Sequence, residues 1–354
     1  MDCPASSLGF AVIAHQANWQ HITSIINSIR AGEIEKLSTE SIRNIYTFIP
    51  SRDIFRIKAK SKTGSEVNGV FIETFIDPDK LEPSFIRSNI SKVMDAISFA
   101  KKMGARIVTL GGFTSIVLEG DLYPFSDDVT TFTTGNTLTA AFIAKGVEAA
   151  AKHHQINPDK SNILVVGATG DIGMACVQYF KNKSGRLLLN ARNSHRLKLL
   201  AGQLEEENIS VRYSTRVQDL VPDADIIICV ASSKGIKLEE CKKGSLICDA
   251  GYPNNLVAGT ENNIPGYLFQ GGMGQISCGY FFHPDYSKSF YQHPAPYISH
   301  GCVLEAIVLA FENKFETYSA GKGKITIGKM EEIYRLSLKH GITLAPFYNE
   351  NGLW

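Results

Sequence analysis

The chain has 354 residues, 44% of them hydrophobic, and a formal net charge of +1 from 36 basic and 35 acidic side chains. This length exceeds what one hydrophobic core usually organises, and it predicts two domains. The near-neutral charge gives no reason to expect a nucleic acid or an anionic membrane surface as partner. Without a signal peptide or a transmembrane segment, a cytoplasmic protein is expected. Seven cysteines with no CxxC pair predict reduced thiols and no metal site.

The first part of the chain alternates strand and helix signals. The apolar pattern predicts strands at 10–14, 54–60, 67–75 and 106–110, the middle two forming a hairpin around Thr63-Gly64. Helices are predicted from about 83 to 103 and from about 136 to Asn157-Pro158, where the proline disfavours helix in its predecessor. These segments predict an N-terminal α/β substrate domain over residues 1–155.

Short, wholly apolar runs follow: NILVV, RLLLN, ISVRY, DIIICV and SLICD. Such runs are typical of parallel strands covered on both faces. They predict a Rossmann-like, doubly wound parallel-sheet domain over residues 156–278. Residues 279–354 are predicted to be a loop from 280 to 297 followed by helices at 302–311 and about 329–340, which pack back on the first domain.

The clearest motif, NILVVGATGDIG, places three glycines between a buried strand and a helix. Gly167 permits the tight turn, Gly170 lets the backbone approach a pyrophosphate, and Gly173 permits close helix packing. The N–H groups at a helix start hold the anion. The predicted dinucleotide contacts are Gly167, Ala168, Thr169, Gly170, Asp171, Ile172 and Gly173.

The second strand of this domain indicates which dinucleotide is bound. An NAD site usually has an acidic residue there for the ribose 2′-hydroxyl, whereas this segment, RLLLNARNSHRL, has none. Arg192 and Arg196 would pair with the 2′-phosphate of NADPH, although arginines on a solvated face would look the same. Further predicted contacts lie here and at later strand ends: Asn190, Arg192, Asn193, Arg196, Val230, Ala231, Ser232, Gly251 and Tyr252.

Several segments together resemble the long-chain fatty acyl-[acyl-carrier-protein] reductases of the cyanobacterial type. These segments are VIAH at 12–15, TLGGFTSIV at 109–117, FTTGNT at 132–137, VVGATGDIG at 165–173, NARNSHRL at 190–197, DAGYPNNL at 249–256 and CVLEAIVLAFE at 302–312. They occur in family order and span nearly the whole chain. GGFTSIV and FTTGNT are not general Rossmann features, so they are the more specific part of the resemblance.

The resemblance implies that Cys302 is the catalytic cysteine, with Glu305 in the family's acidic position. A helix start lowers a thiol pKa, which makes this role plausible, although Cys302 without the resemblance would read as an inert buried cysteine. The implied reaction is ping-pong: Cys302 takes the acyl group from acyl carrier protein or acyl-CoA, and NADPH reduces the acyl-enzyme to a fatty aldehyde. An aldehyde-consuming enzyme is a further expected partner.

Other catalytic roles stay open at this point. Candidate oxyanion stabilisers are Thr134, Asn136 and Thr137, or the N–H groups of Gly111-Gly112, although helix capping and a tight turn explain them equally well. His15 matches a family histidine, but a single histidine after a strand is more often structural. His283, His293 and His300 precede Cys302 without metal-ligand spacing.

The segment from 274 to 301 departs from the family pattern and leaves acyl chain length and acyl donor open. Two basic clusters could dock an acidic carrier: Arg52, Arg56, Lys58, Lys60 and Lys62, or Lys101, Lys102 and Arg106. A shikimate-dehydrogenase-like carbonyl reductase and a non-catalytic NADPH-binding regulator are the alternative functions.

Overall fold

A computed structural model describes residues 8–16, 18–30, 35–46, 48–77, 86–117, 122–232, 235–252, 254–257, 266–287, 293–321 and 323–354. Their contacts group into two compact units. Unit 1 consists of Met1–Gly135, Gln275–Gly321 and Leu336–Thr343, and unit 2 of Asn136–Gly274, Lys322–Arg335 and Leu344–Trp354. Within the described ranges no helix is both long and apolar enough to span a membrane.

The α-helices of the described residues are α1 (Trp19–Ile29), α2 (Thr39–Tyr46), α3 (Ile86–Lys102), α4 (Thr114–Val117), α5 (Asn136–His153), α6 (Asp171–Phe180), α7 (Ser194–Glu206), α8 (Gly301–Phe311) and α9 (Ile327–Lys339). The strands are β1 (Phe10–Ala14), β2 (Arg52–Lys60), β3 (Glu66–Glu73), β4 (Ile107–Leu110), β5 (Thr131–Thr133), β6 (Asn162–Val166), β7 (Arg186–Asn190), β8 (Val211–Ser214), β9 (Ile226–Cys229), β10 (Ile236–Lys237), β11 (Leu246–Asp249), β12 (Leu256–Val257), β13 (Tyr267–Gln270), β14 (Met273–Ile276), β15 (Tyr280–His283), β16 (Ile298–His300), β17 (Ile342–Leu344), β18 (Tyr348–Asn349) and β19 (Gly352–Leu353).

Unit 1 is built on a mixed sheet with strand order β15-β2-β3-β1-β4-β5. Strands β3, β1, β4 and β5 run parallel. At one side of the sheet, β2 pairs antiparallel with β3, and β15 pairs antiparallel with β2. Side chains of β1, β3 and α3 form one buried core cluster, and α8 also packs against β1, β3 and β4. Because parallel strands end at the same edge, the segments that follow β1, β4 and β5 meet there, where ligands bind in α/β proteins.

Unit 2 contains a six-stranded, wholly parallel sheet with strand order β13-β11-β9-β6-β7-β8. When the six strands of this sheet are numbered in chain order and read from β8 to β13, the order is 3-2-1-4-5-6, that of the doubly wound nucleotide-binding fold. Strands β6, β9 and β11 are almost completely buried. The predicted α/β fold class with a Rossmann-like parallel-sheet domain is therefore confirmed.

Several elements of unit 1 were not predicted from the sequence. Residues 280–297 were predicted to be a loop, but β15 pairs antiparallel with β2 at the side of the sheet. Helices α1 and α2 were not predicted, although Trp19, Ile22 and Ile26 of α1 have helical spacing and are buried in one core cluster. The helix predicted from about 83 is described from Ile86, since residues 83–85 lie outside the described residues.

Candidate active site

Two glycines that follow β6 in unit 2, Gly167 and Gly173, leave no room for a side chain. Gly167 has a φ of +90°, and a Cβ on it would lie 2.9 Å from the Ala231 nitrogen. A Cβ on Gly173 would lie 2.1 Å from the Gly167 oxygen. Gly170 is the N-cap of α6, and no side chain caps this helix. The backbone of these glycines therefore forms a cradle at the N-terminus of α6, which fits a pyrophosphate.

The residues predicted to select NADPH follow β7 in unit 2. Arg192 and Arg196 are exposed, and the Arg192 guanidinium donates to Ser232 Oγ over 3.4 Å. Asn190 Nδ2 donates to the Ser214 carbonyl, and the Asn193 side chain caps α7 by accepting from the Arg196 N–H. Two accessible guanidinium groups therefore stand where an NAD site would have a carboxylate.

A buried hydrogen-bond network connects the turns that follow β9 and β11. Asp249 accepts from the backbone N–H groups of Gly251, Asn255 and Leu256, while burial raises the pKa of its carboxyl group. The Asn255 amide bonds both the N–H and the carbonyl of Ala231. The sequence analysis did not single out Asn255, which joins two turns that lie 24 residues apart.

The other predicted contacts of unit 2 lie in or beside these turns: Ala168 and Thr169 in the glycine turn, Ile172 in the first turn of α6, Val230 after β9 and Tyr252 after β11. Asn136 and Thr137 begin α5 in unit 2. Asn136 Nδ2 donates to Asp171 Oδ2 at 2.9 Å, and Asp171 Oδ1 accepts from the Gly323 N–H. The side chains of Asn136 and Asp171 thus bind each other beside the glycine turn.

Cys302 lies in unit 1 as the second residue of α8 and is half-buried. The backbone N–H groups of Gly112 and Val303 donate to its sulfur. A Cβ on Gly111 would lie 3.7 Å from this sulfur, so the turn after β4 passes directly beside the thiol. The GGFT motif therefore supplies backbone around the predicted nucleophile.

A raised pKa favours the protonated form of the Cys302 thiol near neutral pH. Burial raises its pKa to about 11; the Gly112 and Val303 N–H groups act in the lowering direction, and the Glu305 charge raises the pKa further. The expectation that the helix start lowers this pKa is wrong, because desolvation of the thiolate outweighs the backbone hydrogen bonds. A rise in pH therefore favours the thiolate.

This pKa predicts the pH dependence of alkylation. In a Cys3→Ser/Cys278→Ser background, which removes the one exposed cysteine of the described residues and Cys3, which lies outside them, the rate of Cys302 modification by iodoacetamide should rise about tenfold per pH unit between roughly pH 7 and pH 10. The reason is that the thiolate fraction grows tenfold per unit below the pKa. Intact-mass kinetics measure this rate, and a plateau near pH 8 would contradict the prediction.

His15 is buried at the end of β1, where backbone groups engage both ring nitrogens. Nδ1 bonds the Gln16 carbonyl at 3.0 Å, and Nε2 accepts from the Phe113 N–H at 3.2 Å. Burial lowers its pKa to about 4, so the ring is neutral at physiological pH. Phe113 follows Gly112 directly, so His15 holds the turn that donates to the Cys302 sulfur.

Gly135 lies on the other side of Cys302. Its φ is +70°, and a Cβ on it would lie 2.2 Å from Cys302 Cα and 2.5 Å from Cys302 Cβ. The glycine of FTTGNT is therefore required both by its backbone conformation and by its contact with α8. The two more specific motifs of the family resemblance therefore contact the same cysteine: GGFT lies beside the Cys302 sulfur, and FTTG lies against its Cα and Cβ.

The histidines before Cys302 do not converge on a metal site. The rings of His293 and His300 are 6.1 Å apart, and burial lowers the pKa of His293 to about 4. His283 lies in β15 opposite Arg56. Among the residues that the structure describes, no three His, Cys, Asp or Glu side chains are arranged to hold a metal ion.

In both basic clusters proposed for carrier docking, lysines form ion pairs with nearby carboxylates. Lys58 and Lys60 bond Glu66 at 2.6 and 3.4 Å, and Lys101 bonds Asp127 at 3.1 Å. These pairs reduce the positive field that either cluster offers to an acidic partner.

A Ser-His-Glu arrangement also occurs in unit 1. Ser61 Oγ lies 2.7 Å from His340 Nδ1, and His340 Nε2 lies 2.5 Å from Glu312 Oε1. Ser61 is only 4% exposed, and its oxygen accepts from the Thr63 N–H. A hydroxyl so enclosed cannot reach a substrate, so this arrangement ties the β2–β3 turn to the end of α9.

A small, mostly apolar cavity lies beneath α1 in unit 1. Its walls carry one buried carboxyl and one buried amide among hydrocarbon side chains: Gln16, Ile22, Ile25, Ile26, Ile54, Phe71, Glu73 and Phe75. Burial raises the pKa of Glu73 to about 7, while Gln16 Nε2 donates to its carboxyl at 2.8 Å. The cavity can therefore present a largely uncharged wall.

The parallel sheet and its glycine turn define a protein with a doubly wound, dinucleotide-binding domain. The family model described as Shikimate / quinate 5-dehydrogenase matches residues 148–262, within unit 2. The nucleotide-binding domain of glutamyl-tRNA reductase from Thermoplasma volcanium is similar to 36% of this chain, over 84% of its own length, with 21% identity and a TM-score of 0.28.

Sequence similarity to known proteins extends beyond the dinucleotide-binding domain. The chain is 33% identical over 347 residues to a long-chain acyl-[acyl-carrier-protein] reductase of Synechococcus elongatus, covering 94% of this chain and 97% of that protein. It is 26% identical to the aminotransferase PigE of a Serratia species over 82% of this chain, which is 34% of the longer protein. The chain therefore belongs to the long-chain acyl-[acyl-carrier-protein] reductase family, which confirms the resemblance.

Proposed function

We propose that the protein reduces a long-chain fatty acyl thioester to a fatty aldehyde with NADPH, through an acyl-enzyme on Cys302. The observation that carries this proposal is the environment of Cys302, a half-buried cysteine enclosed by the two motif turns. Acyl carrier protein is the proposed donor because the Synechococcus relative is named for it. Acyl-CoA is the alternative donor.

In the first half-reaction, the Cys302 sulfur attacks the thioester carbonyl. A carbon–sulfur bond to Cys302 forms, the bond to the carrier sulfur breaks, and the proton lost by Cys302 leaves with the carrier thiol. The N–H groups of Gly112 and Val303 stabilise the negative sulfur as the proton departs. His15 acts by holding the Gly111–Phe113 turn and does not transfer the proton, since both its nitrogens bind backbone.

NADPH, when bound, would supply the hydride that converts the acyl-enzyme to the hemithioacetal anion on Cys302. This anion collapses to the aldehyde with Cys302 thiolate as the leaving group, and a proton from water restores the Cys302 thiol. The Gly112 and Val303 N–H groups assist here again, because a stabilised thiolate leaves more readily. In unit 2, the glycine turn would hold the pyrophosphate, and Arg192 with Arg196 would hold the 2′-phosphate.

The function is tested by incubating the protein with NADPH and a hexadecanoyl thioester, on acyl carrier protein or on CoA, and detecting hexadecanal by mass spectrometry. Aldehyde formation is expected, and Cys302→Ser should lower its rate by about 1000-fold or more because the nucleophile is lost. A direct carbonyl reductase would be indifferent to Cys302→Ser. If wild type forms no aldehyde from either donor, the proposal is wrong.

Replacing both arginines after β7 should change cofactor choice. The Arg192→Ala/Arg196→Ala variant is expected to bind NADPH about 10- to 100-fold more weakly while its NADH affinity stays within about threefold, because only the 2′-phosphate contacts are removed. Fluorescence titration with both dinucleotides measures this. Equal weakening for both would show that the arginines do not read the 2′-phosphate.

A further inference from the structure

Glu305 is a buried carboxylate on the helix that carries the nucleophile. It lies three residues after Cys302, is 0% exposed, and is the one charged residue in the α8 sequence GCVLEAIVLAF. Burying a carboxylate costs free energy unless hydrogen bonds compensate for the lost water. An apolar side chain would pack here at lower cost, so the contacts of the carboxylate require an explanation.

The Glu305 carboxylate joins three segments that are distant in sequence. Thr133 Oγ1 donates to Oε1 at 2.7 Å, and Ser319 Oγ lies 2.8 Å from Oε1 and 3.0 Å from Oε2. Thr133 Oγ1 in turn accepts from the N–H groups of Ser319 and Gly135 at 3.1 and 3.3 Å. The Thr134 N–H donates to the Ser319 carbonyl at 3.0 Å.

We propose that Glu305 is a positioning residue for Cys302, whose carboxylate fixes the 133–135 turn and Ser319 against the nucleophile. The turn matters because Gly135 lies against Cys302 Cα with no space for a Cβ between them. Burial is the main cause of the raised pKa of the Cys302 thiol, and the charge of the same carboxylate raises it further. This inference rests on the proposed role of Cys302 as nucleophile.

The charge effect is tested by alkylation, which needs neither carrier nor cofactor. In the Cys3→Ser/Cys278→Ser background at pH 8, Glu305→Gln should react with iodoacetamide about tenfold faster than the parent, because removing a like charge lowers the thiol pKa. Glu312→Gln is the matched control, since Glu312 directly follows α8 at the end away from Cys302 and should leave the rate within about twofold. A Glu305→Gln rate equal to the parent would overturn the electrostatic role.

The positioning effect is tested separately with Ser319→Ala, which keeps the charge. Its alkylation rate should stay within about twofold of the parent, while acyl-adduct formation from hexadecanoyl-[acyl-carrier-protein] should fall about tenfold. Unchanged adduct formation would overturn the positioning role, and this variant decides the question if Glu305→Gln does not fold. If the parent itself forms no adduct, the proposed function fails, while the alkylation comparison still decides whether Glu305 acts on Cys302.

Discussion

Gly135→Ala is expected to lower the rate of acyl transfer by about 100-fold or more and to destabilise the protein by about 3 kcal/mol. The new Cβ would lie 2.2 Å from Cys302 Cα, so either α8 or the 133–135 turn must move. Movement of either displaces the sulfur from the Gly112 N–H group. Acyl-adduct formation and chemical denaturation measure the two effects.

Gly104→Ala is the matched control for this prediction. Gly104 has the same φ of +70°, but nothing lies within 4 Å of its Cβ position. Alanine there incurs only the cost of a left-handed backbone, about 1 kcal/mol, and acyl transfer should remain within about twofold of wild type. Equal losses of acyl transfer in both variants would show that backbone conformation, and not contact with Cys302, explains the requirement for Gly135.

Gly173→Ala is expected to weaken NADPH binding by about 100-fold or more. Its Cβ would lie 2.1 Å from the Gly167 oxygen, so α6 must move away from the turn and its N-terminal N–H groups with it. Isothermal titration with NADPH measures the change. Because Cys302 belongs to unit 1, thiol alkylation should be unaffected.

Gly202→Ala is the control for the second prediction. Gly202 lies within α7 of the same unit, and nothing lies within 4 Å of its Cβ position. Alanine is the better helix former, so this variant should bind NADPH normally and gain about 0.5–1 kcal/mol in stability. Wild-type NADPH affinity in Gly173→Ala would mean that the cradle is not the pyrophosphate site.

Much of unit 2 was predictable because its signals are local. A buried parallel strand needs an unbroken apolar run, and the glycine turn follows β6 directly, so five of the six sheet strands and the cradle could be predicted without knowledge of the fold. The prediction of β15 failed because YFFH is short and pairs with β2, more than 200 residues earlier in the chain. Such pairing leaves no trace in the local pattern.

Parts of the candidate active site could not be predicted from the sequence for the same reason. Cys302 was identifiable only through its family motif, and the direction of its pKa shift was predicted wrongly because desolvation depends on what packs around the sulfur. The Glu305 network joins Thr133 and Ser319, which are 186 residues apart. Asn255 was missed because an asparagine in a turn gives no sign of its distant partner.

The central claim is that Cys302 accepts the acyl group, and intact-mass analysis after incubation with hexadecanoyl-[acyl-carrier-protein] without NADPH tests it most directly. Wild type and Cys278→Ser should each gain one hexadecanoyl group, and Cys302→Ser should gain none. Cys278 is the appropriate control because its thiol is exposed and available for adventitious acylation. An adduct that persists in Cys302→Ser, or no adduct on wild type, would contradict the account.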